Sequence, residues 1–123
     1  MKTIITVAVA TFILVGLGFA GTGYPVSGKW TYDSATEPGP AKTCNGPRTM
    51  TFDGDTRYDT GGSVPQLQNK STIQAGAYLY RVVDSFYNGQ TWGNVNYTLR
   101  LPDPDHIEIN YVKGGMLKLR RCA

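Results

Sequence analysis

The sequence predicts an all-β fold, a small antiparallel up-and-down barrel of seven to eight strands, with a β-sandwich as the alternative. Three observations carry this expectation. After residue 28, apolar and polar residues alternate with period two, glycines punctuate the runs, and no amphipathic helix stands out. Asn88-Gly89 separates two Tyr-containing runs in the manner of a tight hairpin. Pro102-Asp103-Pro104-Asp105 is a stiff turn segment, and two further alternating runs follow it around Gly114-Gly115.

Taken in chain order, Lys29–Ser34 places Trp30 and Tyr32 on one face. Arg48–Asp53 and Thr56–Thr60 flank a Gly54-Asp55 turn, with Met50 and Phe52 on the inner face of the first run. Gly61–Lys70 is polar, contains Pro65 and reads as a loop or a short edge segment, with strand resuming near Ile73. A two-residue turn at Asn88-Gly89 sets Val82 opposite Val95, Tyr80 opposite Tyr97 and Tyr78 opposite Leu99, all on one face. In the last hairpin, a three-residue loop Lys113-Gly114-Gly115 sets Tyr111 against Leu117, Ile109 against Leu119 and Ile107 against Arg121. Arg121 then points inward and Cys122 outward.

The 123 residues have room for one domain, which excludes a multidomain enzyme. One His and two Cys cannot assemble a His/Cys zinc cluster, so no metal and no cofactor is expected. At the N-terminus, Lys2 precedes the apolar run Ile4–Leu17, and Gly18 and Ala20 set small residues at the cleavage-determining positions. Residues 1–20 therefore read as a signal peptide, with an uncleaved anchor as the alternative. Residues 21–27 read as a flexible N-terminal segment and 28–123 as the barrel domain. No apolar stretch after residue 20 is long enough for a membrane span, so no membrane association is expected once the signal is removed. Charges are spread along the chain without a basic stripe, and nucleic acid is not an implied partner. Export to a secreted or periplasmic location puts Cys44 and Cys122 in an oxidising compartment, where they are expected to form a disulfide.

Catalysis finds little support. His106 is the only histidine, it falls on an outward strand position, and no nucleophile elbow is present. Asp53, Asp55 and Asp59 with Gly54 superficially suggest calcium but lack the remaining positions of an EF-hand loop. Asn69-Lys70-Ser71 and Asn96-Tyr97-Thr98 are glycosylation sequons in a eukaryotic source.

Gly28-Lys29-Trp30 on the first strand resembles the G-x-W pattern of the lipocalin-like (calycin) superfamily, and Arg121 resembles that superfamily's basic residue packed across the Trp. The resemblance implies a barrel whose end is closed by Trp30 with the Arg121 guanidinium stacked on it, or that of Arg120 if the last hairpin is shifted by one residue. In length the chain is similar to small bacterial metalloprotease-inhibitor barrels, which implies that Gly21–Ser27 plugs a protease cleft; its disulfide spacing departs from theirs. Binding of a small molecule is the other role the resemblance implies, with Tyr78, Tyr80, Tyr97 and Tyr111 as the ligand-binding residues and Tyr32 and Tyr58 beside them. Eight short strands enclose a space just wide enough for side chains, so these tyrosines are expected to fill it. The function expected is exported, non-catalytic binding of a protein or small-molecule partner, with protease inhibitor and small-molecule carrier as its two forms. Intact-mass measurement of the exported protein should give a chain that starts near Gly21; recovery of full-length chain in the membrane would contradict the signal.

Overall fold

The computed structural model describes residues 20–21, 23–33, 39–41, 44 and 47–123, so the apolar run Ile4–Leu17 lies outside the described residues. Among the described residues nine strands follow one another: β1 (Ala20–Gly21), β2 (Gly28–Tyr32), β3 (Thr49–Asp53), β4 (Thr56–Asp59), β5 (Gln66–Gly76), β6 (Leu79–Tyr87), β7 (Trp92–Asp103), β8 (His106–Tyr111) and β9 (Met116–Arg121). From β2 onward each strand pairs antiparallel with the next, and β9 pairs back onto β2. The sheet therefore closes as an eight-strand up-and-down barrel, and β1 adds to β5 through Ala20↔Ile73 and Gly21↔Thr72.

Period-two alternation puts Trp30, Met50, Phe52, Val82, Tyr97, Leu99, Ile107, Ile109 and Leu119 inside, each nearly or wholly buried. Both long hairpins differ from the expected registers by two residues. Tyr80 faces Leu99 and Val82 faces Tyr97. Turn chemistry is the reason: the Asn88 side-chain carbonyl accepts from the Gln90 and Thr91 amides, and Gly89, with φ of +99°, takes the first central position. In the last hairpin the three-residue loop is Val112-Lys113-Gly114, closed by the Tyr111 amide donating to the Gly115 carbonyl, so Leu117 faces Ile109 and Leu119 faces Ile107. A slip of two keeps every strand residue on its expected face, which is why the predicted core survives it.

Three elements depart further. Gln66–Gly76 is one long strand rather than a polar loop, because its inward positions are Leu67, Asn69 and Thr72 and two of these are polar. A bulge at Lys70 lets Asn69 and Thr72, three residues apart, both face inward. Tyr78 does not face the interior opposite Leu99. It sits in the two-residue turn between Gly76 and Leu79 at φ of 58°, the only described non-glycine residue with positive φ, and is 67% exposed. Tyr58 is likewise outward, because the Gly54-Asp55 turn pairs Phe52 with Arg57 and Met50 with Asp59, which takes those two charged residues inside.

The segment before β2 is not a free tail. The Gly23 amide donates to Asn69 Oδ1 at 2.8 Å, Thr72 Oγ1 donates to the Gly23 carbonyl, and the Tyr24 amide donates to Gly54 O. Tyr24 packs edge-on against Phe52 with ring centroids 5.0 Å apart. Trp30 then fixes the entry to β2 by donating from Nε1 to the Ser27 carbonyl. This segment and the β3–β4, β5–β6 and β7–β8 turns define the closed end of the barrel.

Arg121 is the direct pairing partner of Trp30 across the β9–β2 seam, but its guanidinium turns away from the indole. It is exposed, and Nε donates to Asp105 Oδ1 at 3.0 Å. At a strand end a long cation reaches water and a carboxylate without losing hydration, which stacking on a buried Trp would require. The cation–π contact found among the described residues is instead Arg57 over Tyr97, at 5.1 Å.

Cys44 and Cys122 are bonded, with Cα atoms 5.8 Å apart. The bond sits where Ala41 runs beside the end of β9, the Ala41 amide donating to Arg121 O and the Ala123 amide to Ala41 O. Because it closes a loop spanning 78 positions, the chain-entropy model gives it about 4.5 kcal/mol. Replacing both cysteines by Ser should lower unfolding free energy by several kcal/mol, on the order of 3–5, in a denaturant titration; a change below about 1 kcal/mol would mean that the bond contributes little beyond native contacts.

Candidate ligand-binding site at the open end of the barrel

The end opposite the Gly23–Ser27 segment carries the loop after β4, with Gly62–Val64, and the loop after β8, with Val112–Gly114, while Phe86 and Asn94–Asn96 come from the facing ends of β6 and β7. Between them a cavity of about 500 Å³ enters the barrel. Val64, Leu67, Phe86, Val95 and Tyr111 supply its apolar walls, Asn94 and Asn96 lie at its polar edge, and Arg57 and Asp59 at its floor. The volume lies in the range of small-molecule sites, which are mostly apolar with a few fixed polar groups. The interior is thus packed toward the closed end and open at the other, not filled throughout as expected.

Glycine makes the rim close-fitting. Gly61 and Gly62 let the β4–β5 loop lie against the site: a Cβ on Gly61 would stand 2.7 Å from the Tyr32 ring, and one on Gly62 would stand 2.7 Å from Asp59 Oδ2. Asp59 holds this loop by accepting from Tyr32 Oη at 2.6 Å and from the Gly61 amide at 3.0 Å.

Beneath the cavity is a buried polar network. Arg57 is 2% exposed and Asp84 is wholly buried, with Arg57 Nε donating to Asp84 Oδ2 at 2.8 Å. The same carboxylate oxygen accepts from Tyr97 Oη at 2.7 Å, and Oδ1 accepts from Asn69 Nδ2 at 3.2 Å. Asn69 Oδ1 in turn accepts from Thr72 Oγ1 and the Gly23 amide, so a continuous chain of hydrogen bonds joins the cavity floor to the N-terminal segment. Buried charges persist only when paired and hydrogen-bonded in this way.

Burial opposes the Arg57 charge, but Tyr97 and the Asp84 carboxylate outweigh it and hold its pKa above the ordinary arginine value. Burial pushes the phenols of Tyr24, Tyr32, Tyr97 and Tyr111 upward, with Asp84 reinforcing the shift at Tyr24 and the Asp59 hydrogen bond at Tyr32. All four therefore remain neutral hydroxyl donors at physiological pH.

The expected site residues separate accordingly. Tyr111 lines the cavity. Tyr97 lies below it as a donor to Asp84, Tyr80 packs partly buried against the core, and Tyr78 is exposed in its turn at the far end. Trp30 belongs to the packed half. Arg57, Asp59, Asp84 and Asn69 were missed as a group, although a signal for two existed. Once Gly54-Asp55 is taken as a two-residue turn, the partners of inward Met50 and Phe52 are necessarily Asp59 and Arg57. Asp53 and Asp55 are exposed at that turn while Asp59 points inward, so the three carboxylates do not converge. His106 is absent from the cavity; its Nδ1 lies 2.8 Å from Asp103 Oδ1, a contact that lowers the Asp103 pKa. The Asn69 amide is buried and bonded, whereas Asn96 is exposed at the cavity rim, so only the second sequon is open to modification in the folded protein.

Fold and site together define a disulfide-tied, closed eight-strand antiparallel barrel with a polar-floored cavity at one end. No protein-family model, curated protein or solved structure matches the chain.

Removing Asp84 takes away the hydrogen-bonded partner of the buried guanidinium and leaves it only the more distant Asp59 carboxylate, at 3.9 Å, so Asp84→Ala should destabilise the protein by about 3–5 kcal/mol. Adding Arg57→Met should return a substantial part of that loss in the same denaturant titration. Equal stability of wild type and Asp84→Ala would show that water reaches the pair.

Proposed function

We propose that the protein is an exported, non-catalytic binding barrel of lipocalin-like type that carries a small molecule in its open end. The observation that carries this reading is the cavity of about 500 Å³, walled by apolar side chains and floored by a buried guanidinium and carboxylate. A barrel needing only stability would gain by filling that space, since packing is what closes small interiors. The closed eight-strand up-and-down barrel supports the lipocalin-like assignment, whereas Arg121, beside Trp30 across the seam, does not stack on the indole. A disulfide fits an oxidising compartment outside the cytoplasm, and among the described residues no helix is long and apolar enough to cross a membrane.

The carrier form is favoured over the protease inhibitor because Gly23 and Tyr24 are tied into the closed end, by Asn69, Thr72 and Gly54, and not held out for a protease cleft. Non-catalytic action is supported by the position of His106, away from the cavity.

Titration with the neutral dye Nile red should give saturable fluorescence enhancement at one site per chain. Val95→Trp, which fills the cavity, should reduce the affinity by about tenfold or more, while Arg81→Ala on the outer face should leave it unchanged. Equal binding by Val95→Trp would place the dye elsewhere, and turnover of a substrate that is lost on His106→Ala would replace binding by catalysis.

A further inference from the structure

We infer that the cavity selects an uncharged, planar molecule presenting an acceptor and an N–H donor side by side, as a lactam or amide edge does, and discriminates against carboxylates. This rests on the reading of the cavity as a ligand site and specifies what that site takes.

A buried guanidinium at the bottom of an apolar cavity is ordinarily an anion receptor. The charges around Arg57 argue otherwise. Its Nε is already committed to Asp84 at 2.8 Å, and Asp59 Oδ2 lies 3.9 Å from Nη1, so two carboxylates face one guanidinium. Lys113 stands at the rim, exposed to solvent, where screening weakens its reach to the floor. An entering carboxylate would add a third negative charge to a poorly hydrated site that already carries an excess of one.

What the floor lacks is hydrogen bonds. Arg57 Nη1 contacts the Met50 sulfur at 3.6 Å, a weak acceptor, and the Tyr111 and Tyr24 hydroxyls stand near the guanidinium without taking up its full donor capacity. Asp59 Oδ1 accepts two, while Oδ2 accepts none among the described residues. The separation of 3.9 Å between Nη1 and Oδ2 is too long for a hydrogen bond between them. One donor and one acceptor therefore lie side by side at the end of an apolar cavity, on residues that are themselves buried. A ligand edge with C=O beside N–H satisfies both at once and changes the charge by nothing. Phe86 and Tyr111 supply aromatic surface for a flat ring. Phe86 is set by Gly93 opposite it on β7, where a Cβ would stand 2.7 Å from the ring.

Three bicyclic probes of matched size separate the alternatives in calorimetric titrations of the disulfide-bonded protein: quinolin-2-one, naphthalene-2-carboxylate and naphthalen-2-ylmethylammonium. Quinolin-2-one should bind at least about tenfold more tightly than either ion, because only it pairs with both buried groups. In Asp59→Asn the excess negative charge is gone while an oxygen remains for Tyr32 and Gly61, so carboxylate affinity should rise by about tenfold or more. The thermal midpoint of that variant reports whether the loop has held, and the wild-type ratio decides the matter without it. Tighter binding of either ion by the wild-type protein would overturn this inference and leave the cavity reading standing. An unchanged ratio in a folded Asp59→Asn would overturn the charge argument and the inference with it. Binding of none of the three, together with failure of Nile red, would overturn the cavity reading itself.

Discussion

The ion pair between Arg57 on β4 and Asp84 on β6 organises the interior. Two opposite charges at 2.8 Å with almost no exposure lose their hydration, and they are tolerable only if their remaining hydrogen-bonding capacity is met. Asp84 meets it with Tyr97 and Asn69, residues from β7 and β5. Four consecutive strands are thus joined across the barrel lumen as well as through their backbones. A slip of any one would leave a buried charge unpaired, a penalty larger than an apolar mismatch of similar size.

That network also divides the barrel. On one side of it lie Trp30, Phe52, Leu99, Ile107 and Leu119, packed without room for a ligand. On the other side the walls remain apolar but recede, and the side chains that line them come from strand ends and loops. Loops vary without disturbing a closed sheet, so recognition sits where the scaffold tolerates it, above a floor that the scaffold fixes.

Much of this architecture was legible in the sequence, for one physical reason. Antiparallel strands with one apolar face carry period-two patterns, and those survive an error of two in register. The pattern places Val82, Tyr97, Ile107, Ile109 and Leu119 on the inner face for that reason, even though the turns at Asn88–Thr91 and Val112–Gly115 close differently from the simplest expectation. Where the inner face itself is polar, the signal vanishes. Asn69 and Thr72 give β5 the polar composition of a loop, and Arg57 and Asp59 have the composition of a solvent face, so pattern alone turns Tyr58 inward. The cavity was illegible for a different cause. Whether a barrel interior is full depends on how side chains from all eight strands meet, and no local pattern encodes that sum.

The β9–β2 seam joins strands from opposite ends of the domain, since Trp30 lies beside Arg121. Every other pairing in the barrel joins neighbours in sequence and forms by local zippering, whereas this contact requires the whole meander to curl round. Cys44 and Cys122 stand next to that seam. Once oxidised, they hold the two ends of the incipient sheet near each other in the unfolded chain, so the slowest search in the topology is shortened before any strand has formed. Ring closure, a topological obstacle in the reduced chain, becomes close to a local event in the oxidised one, and the order of folding is thereby tied to the compartment in which the bond is made.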